Sequence, residues 1–343
     1  MINVNCIVCI TRYLIWRCDY GWCHGGWGAR INGVMFAYMI ANLTGRTFKL
    51  EHLTPKCDLT DYMVPNLVNW YLPASFHRVP WPDVHEVDMQ NRKDDMKFAK
   101  MFGKVNFYAD NQKAFFTPQS KYIYFYLNFF PEKVIAENVK SWNQFSWMKD
   151  LLPGDMQSAI FKRLFKLSPD TARKLKTMLP RDDHQLVCAH VKMDRDPRKG
   201  EIELKKIPPS ESLENVWRVI SNHSQTQSSL VFIASDSSRV HTEAKQQEFA
   251  HLLISMKEPI VDLEKLKLMM NLKGSAKEDA CGGLERIILE QHMLMNCDII
   301  VVSHDEMSHL AAYIRGSDQG LYCHWSTGDV TPCTRADFTR WNG

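Results

Sequence analysis

The sequence predicts an α/β protein made of two Rossmann-like, doubly wound halves facing each other across a cleft. Three observations carry this. The 343 residues exceed what a single core usually organises, so two domains are expected. A strand, a glycine-rich turn, a helix and a second strand follow one another at the N-terminal end. Beyond residue 180, short β-branched runs alternate with amphipathic segments.

The elements follow in order. "RYLIWRC" (Arg12 to Cys18) reads as a strand and "CHGGWGAR" as the turn after it. "INGVMFAYMIANLTG" (Ile31 to Gly45) has apolar residues at helical spacing and a glycine stop, and "RTFKLE" is a second strand. Strand, turn, helix, strand is a βαβ unit, which requires parallel pairing and a right-handed crossover. From Thr54 to Pro180 the pattern is aromatic and less regular; "KYIYFYLNFF" reads as a buried strand and "DMQSAIFKRLFKL" as a helix. "PRDDH" marks the junction, dividing the chain into domains 1–180 and 181–343. The second half then gives strands at Gln185–Lys192, Ser229–Asp236 and Asp298–His304, with a shorter one in "EPIVDLE". Between and after them "PSESLENVWRVISNH", "RVHTEAKQQEFAHLL", "GGLERIILEQHMLMNC" and "EMSHLAAYIRG" read as helices. Continuous apolar strands alternating with helices mean a sheet covered on both faces, with ligands at the carboxyl ends of its strands.

Composition narrows the class. Charged residues make up 24% and the net charge is +3, without the concentrated basic face of a nucleic-acid binder. Ten cysteines suit an oxidising lumen. Five precede residue 58, and Cys323 and Cys333 flank an irregular C-terminal stretch, whereas Cys188 and Cys297 lie in apolar runs and read as buried thiols. Two sequons, at Asn42 and Asn222, permit glycosylation, with Asn42 at a helix end. "INVNCIVCI" is far shorter than the roughly 20 residues needed to span a bilayer, so any membrane attachment is expected through an anchor absent from this sequence.

Several patterns carry no chemistry. "GWCHGGW" lacks a base to activate a thiolate, "SHDEMSH" spaces its histidines wrongly for a helical zinc pair, and no GxxxxGK[ST] loop occurs. The candidates that remain sit at strand ends. "GGWGAR", with Gly26, Gly28 and Arg30, follows the first strand and opens a helix whose N–H groups favour anions; glycines there also serve plain helix packing. "CAHVKMDRD" places His190 and Lys192 at a strand terminus. "FIASDSS" offers Asp236 and Ser237, Asp236 being a carboxylate able to accept two N–H donors from a base edge such as guanine. "VVSHDEMS" adds Ser303 on the same side.

Taken together, "GWGARINGVMFAYMIANLTGRTFKLE", "LVFIASDSSRVHTEAKQQEF" and "LERIILEQHMLMNCDIIVVS" resemble the GDP-fucose-dependent fucosyltransferase superfamily. It includes the core α1,6-, plant xyloglucan and protein O-fucosyltransferases. The resemblance covers residues 14–51 and 185–316. It implies a GT-B fold and inverting transfer of fucose from GDP-fucose to a glycan or glycoprotein, with no metal and no cofactor beyond the donor substrate. An arginine in that family's HxRxGD segment supplies the cation for the leaving diphosphate, and a carboxylate takes the acceptor proton. Here the segment reads His190-Val191-Lys192-Met193-Asp194-Arg195. Lysine keeps the charge and loses bidentate recognition, and Arg195 is a candidate replacement cation. The base is sought among Asp194, Asp196 and Glu201. Ala29 stands where relatives often have a polar residue. Asp305 and Glu306 stand where α1,6-type relatives place serines, and two carboxylates there would oppose a diphosphate, so a displaced loop or weak donor binding is expected.

These readings converge on a fucosyltransferase in the Golgi or endoplasmic reticulum lumen. Its partners would be a nucleotide-sugar donor and a glycan or glycoprotein acceptor. The alternative is a catalytically degenerate relative that binds nucleotide or glycan without turnover, which the altered HxRxGD segment favours. Transfer from another nucleotide sugar is a third reading.

Overall fold

The computed structural model describes residues 11–19, 25–72, 76, 84–88, 121–131, 135, 143–180, 183–193, 213–225, 228–261, 263 and 274–339. Two largely parallel sheets organise it. In the first, β1 (Tyr13–Cys18) pairs in parallel with β2 (Thr47–His52) and with β5 (Tyr122–Tyr126); β4 (Val84–Asp88) completes the order β2-β1-β5-β4. A small antiparallel pair joins β3 (Met63–Pro65) to β6 (Phe165–Leu167).

The predicted βαβ crossover is present, but its helix α1 (Trp27–Leu43) starts one turn before Ile31, so Gly28, Ala29 and Arg30 belong to its first turn. Nearly every residue of α1 is buried, as expected of a helix apolar on all sides. One face covers β1 through Leu14, Trp16 and Cys18. At Gly33 a Cβ would lie 1.9 Å from the Leu127 carbonyl oxygen, so glycine there permits the close approach of helix and chain. Helices α2 (Pro153–Leu164) and α3 (Pro169–Met178) follow, both opened by proline; α3 is capped by Ser168, whose Oγ accepts from Thr171 N–H.

The second sheet has the order β11-β10-β9-β7-β8. Strands β7 (Gln185–Val191), β8 (Ser229–Ser235), β9 (Ile299–Val302) and β10 (Leu321–His324) are parallel, and β11 (Val330–Pro332) returns antiparallel to β10. The alternation within each apolar strand divides the core. Val187, Ala189, Val191, Val231, Ile233 and Val301 face α4 (Leu213–His223). Cys188, Phe232, Ala234, Ile300 and Val302 face the other way, toward α6 (Ser275–Leu294) and α7 (Glu306–Arg315). Each fully buried aliphatic or aromatic side chain adds about 1.5–3 kcal/mol by area removed from water. Two covered faces explain why these strands lack polar alternation.

Four expectations are corrected. Residues 258–261 of "EPIVDLE" form no strand; a parallel bridge between Val231 and Leu253 lies at that edge instead. "RVHTEAKQQEFAHLL" is two pieces, α5 (Ser238–Ala244) and a 3₁₀ turn at Glu248–Leu252. The C-terminal stretch is not irregular, because β10 and β11 extend the sheet and Cys323–Cys333 joins them. Cys188 and Cys297 are not free thiols: they form a disulfide from β7 to the residue run after α6, their Cα atoms 6.0 Å apart. A further disulfide, Cys57–Cys281, links the chain beyond β2 to α6, and Cys18 is also disulfide-bonded. Asn42 is half-buried, its amide donating to the Tyr38 carbonyl, whereas Asn222 is exposed. No described helix is long and apolar enough to cross a membrane.

Candidate functional site

A cleft opens where the N-terminus of α1 meets the carboxyl ends of β7 and β8. Gly26, Trp27, His190, Lys192, Asp236 and Asp305 line it together with Arg286 and Glu290 of α6. Strand β7 carries His190 inward and ends at Val191, so the next side chain, Lys192, reaches the cleft. Its Nζ lies 2.5 Å from Asp236 Oδ2, just beyond the end of β8, and Asp236 Oδ1 accepts from Met193 N–H at 3.1 Å. Lys192 and Asp236 are only 24% and 12% exposed, so this pair is better shielded than a surface salt bridge.

His190 is buried, with Nδ1 3.2 Å from Ser303 Oγ, and that oxygen also accepts the Lys192 N–H at 3.2 Å. Burial lowers the His190 pKa; Asp305 and Asp236 oppose it and Lys192 reinforces it. Ser303 is wholly buried and joins the ends of β7 and β9 behind the cleft. Ser237 is the residue preceding α5 and is not among the cleft-lining side chains; its N–H donates to Ser235 Oγ.

The glycine-rich turn divides its labour. Gly26 lines the cleft and has open space where a Cβ would sit. Gly28 instead touches α7: a Cβ would lie 2.2 Å from Met307 N, so its bareness seats one helix end against another. Arg30, 1% exposed, lies inside the protein. It donates to the carbonyls of Gly25 and Leu263, each at 3.2 Å, and to that of Thr54, with His52 Nε2 3.3 Å away. Burial first, and then Arg30, lower the His52 pKa to about 3. The guanidinium thereby ties the turn to the exit of β2 and to a cleft-lining residue, Leu263.

Asp305 behaves differently from the expected repulsive carboxylate. It caps α7, accepting from Met307 N–H at 2.8 Å, while Glu306 points out to solvent. Burial works to raise the Asp305 carboxyl, but His190, Lys192 and the Met307 amide outweigh it and hold it below its ordinary value. Asp194, Arg195, Asp196 and Glu201 lie outside the described residues.

Two cleft residues escaped the strand-end reading. Arg286 Nε donates to Glu290 Oε1 at 2.8 Å, one helical turn apart and buried, and Arg286 Nη1 donates to the Glu258 carbonyl. Burial raises the Glu290 carboxyl to about 7, although Arg286 opposes it. The i,i+4 spacing in "ERIILE" was the available signal, but such pairs are common on solvated helix faces.

No protein-family model and no curated protein sequence matches the chain. Solved structures do. The NodZ α1,6-fucosyltransferase soaked with GDP-fucose superposes with a TM-score of 0.55 at 13% identity, covering 94% of this chain and 99% of that one. FUT1 of Arabidopsis thaliana, an arginine-to-lysine variant with GDP, gives 0.52 at 13% identity, covering 91% and 70%. POFUT1 with GDP gives 0.51 at 11% identity, covering 92% and 99%. The chain therefore has the mixed α/β fold of the fucosyltransferases.

Proposed function

We propose that this chain is a glycosyltransferase that transfers fucose from GDP-fucose to a glycan or glycoprotein, with residues 1–180 on the acceptor side and 181–343 on the donor side. The observation that carries the reading is the cleft itself. The uncapped N-terminus of α1, the Lys192 ammonium and the strand-end carboxylate Asp236 meet at the carboxyl ends of parallel strands. The fold shared with structures that hold GDP or GDP-fucose supports the same donor.

In this reading the acceptor hydroxyl attacks the anomeric carbon while the carbon–oxygen bond to the diphosphate breaks. The hydroxyl proton passes to a carboxylate, Asp194 or Glu201, and GDP leaves with both bonding electrons. Lys192 balances the charge that grows on the leaving group. Disulfides at Cys57–Cys281, Cys188–Cys297 and Cys323–Cys333 support a lumenal or secreted setting, for which we propose the Golgi or endoplasmic reticulum.

The Lys192–Asp236 ion pair favours the second reading, a binding module without turnover, because the cation is already held by a carboxylate. Calorimetry with GDP and UDP, followed by GDP release from GDP-fucose in the presence of a glycan pool, separates the two. Transfer predicts GDP bound at least about tenfold more tightly than UDP and acceptor-dependent release that Lys192→Ala abolishes. Binding without release leaves the module; absence of nucleotide binding sinks both.

A further inference from the structure

Trp27 has an unexplained donor. It is the first residue of the 17-residue helix α1, is 4% exposed and lines the cleft, yet its buried Nε1 has no hydrogen-bond partner among the described residues. Two other buried indoles are satisfied: Trp16 Nε1 donates to the Leu127 carbonyl and Trp70 Nε1 to that of Leu164, both at 2.7 Å. Leaving a buried N–H unpaired costs about 1–3 kcal/mol, so an orphan in a polar cleft points to an acceptor supplied from outside.

The surroundings specify that acceptor. Gly26 precedes the helix in extended conformation, no described side chain caps it, and its first turn has no acidic residue. The N-terminus of α7 abuts the same turn at Gly28. The N-terminus of α1 favours negative charge, and Gly26 leaves open space beside Trp27; that of α7 is already capped by Asp305. Lys192 lines the same cleft.

We propose that the Trp27 indole N–H is a ligand contact, donating to an anionic oxygen of a diphosphate held at the N-terminus of α1. This rests on the nucleotide-sugar reading for the identity of the whole ligand, but the anion contact stands on the orphan donor. Trp27 would thus be a catalytic residue in the sense of touching the leaving group.

The test is Trp27→Phe, which keeps an aromatic ring and removes the N–H. Calorimetry with GDP and with inorganic pyrophosphate should show both bound about tenfold more weakly than by the wild type. The smaller ring leaves a cavity that lowers the ligand-free melting temperature, so the comparison is read from the affinities. Unchanged affinities with the wild type binding both would overturn the Trp27 assignment and leave the nucleotide reading intact. Pyrophosphate bound through Trp27 without GDP binding would keep the assignment and sink the nucleotide reading; no binding of either overturns both. Should the variant not fold, indole ¹⁵N–H spectra of the wild type decide: one resonance should move downfield with pyrophosphate, and none moving refutes the contact.

Discussion

Replacing Glu290 with glutamine should change how stability depends on pH. Glu290 is 5% exposed, and burial raises its carboxyl from 4.5 to about 7 despite the attraction of Arg286. The folded chain therefore keeps a proton that the unfolded chain releases at lower pH. Its contribution to stability is full below about 4.5 and is lost as pH rises through about 7. At ~1.4 kcal/mol per pH unit this amounts to about 3 kcal/mol. Glutamine keeps an acceptor for the Arg286 Nε donor, does not titrate, and so removes the term. Urea unfolding followed by tryptophan fluorescence, without reductant, would be measured from pH 5 to pH 8. The variant should gain on the wild type with rising pH, by up to about 3 kcal/mol at pH 8. Buried histidines such as His309, held down to about 3 chiefly by burial, act with the opposite sign. They are common to both proteins and cancel in the difference. Parallel pH profiles would refute the reasoning, because they would mean that Glu290 titrates alike folded and unfolded.

Gly28→Ala should destabilise the fold by about 1–3 kcal/mol through overpacking, since the added carbon would meet the Met307 and Glu306 backbone at 2.2 and 2.5 Å; a denaturation midpoint equal to wild type would refute the packing role. Replacing Cys57 and Cys281 by serine opens a link across 224 residues of sequence and should cost about 5 kcal/mol by the chain-entropy argument. A loss below about 1 kcal/mol would show that the unfolded chain is constrained by other means. Non-reducing peptide mapping should recover Cys57–Cys281, Cys188–Cys297 and Cys323–Cys333 as linked pairs; free thiols at these positions would contradict both the pairing and the lumenal setting.

The strands and helices that place the cleft were legible because a parallel strand covered on both faces must be apolar throughout, and "QLVCAHV" and "SLVFIAS" say so directly. What periodicity does not encode is the partner of each special residue. Gly28 announces that something comes close, but sequence cannot distinguish a phosphate from the Met307 backbone. Arg30 announces a cation at a helix start; only the folded chain turns it inward to three carbonyls. Cys188 and Cys297 looked like apolar thiols because a disulfide between a strand and a neighbouring helix end is itself buried and apolar. The Arg286–Glu290 pair has the spacing of a solvated helix face, and it became part of the cleft only because α6 turns that face toward β8. Asp305 shows the same principle with its sign reversed. A carboxylate expected to repel a diphosphate caps α7, while Lys192 in the same cleft is paired with Asp236 and the first turn of α1 has no acidic residue. Local pattern fixes where chain ends converge, while the long-range partners made at that convergence decide which charges remain available to a ligand.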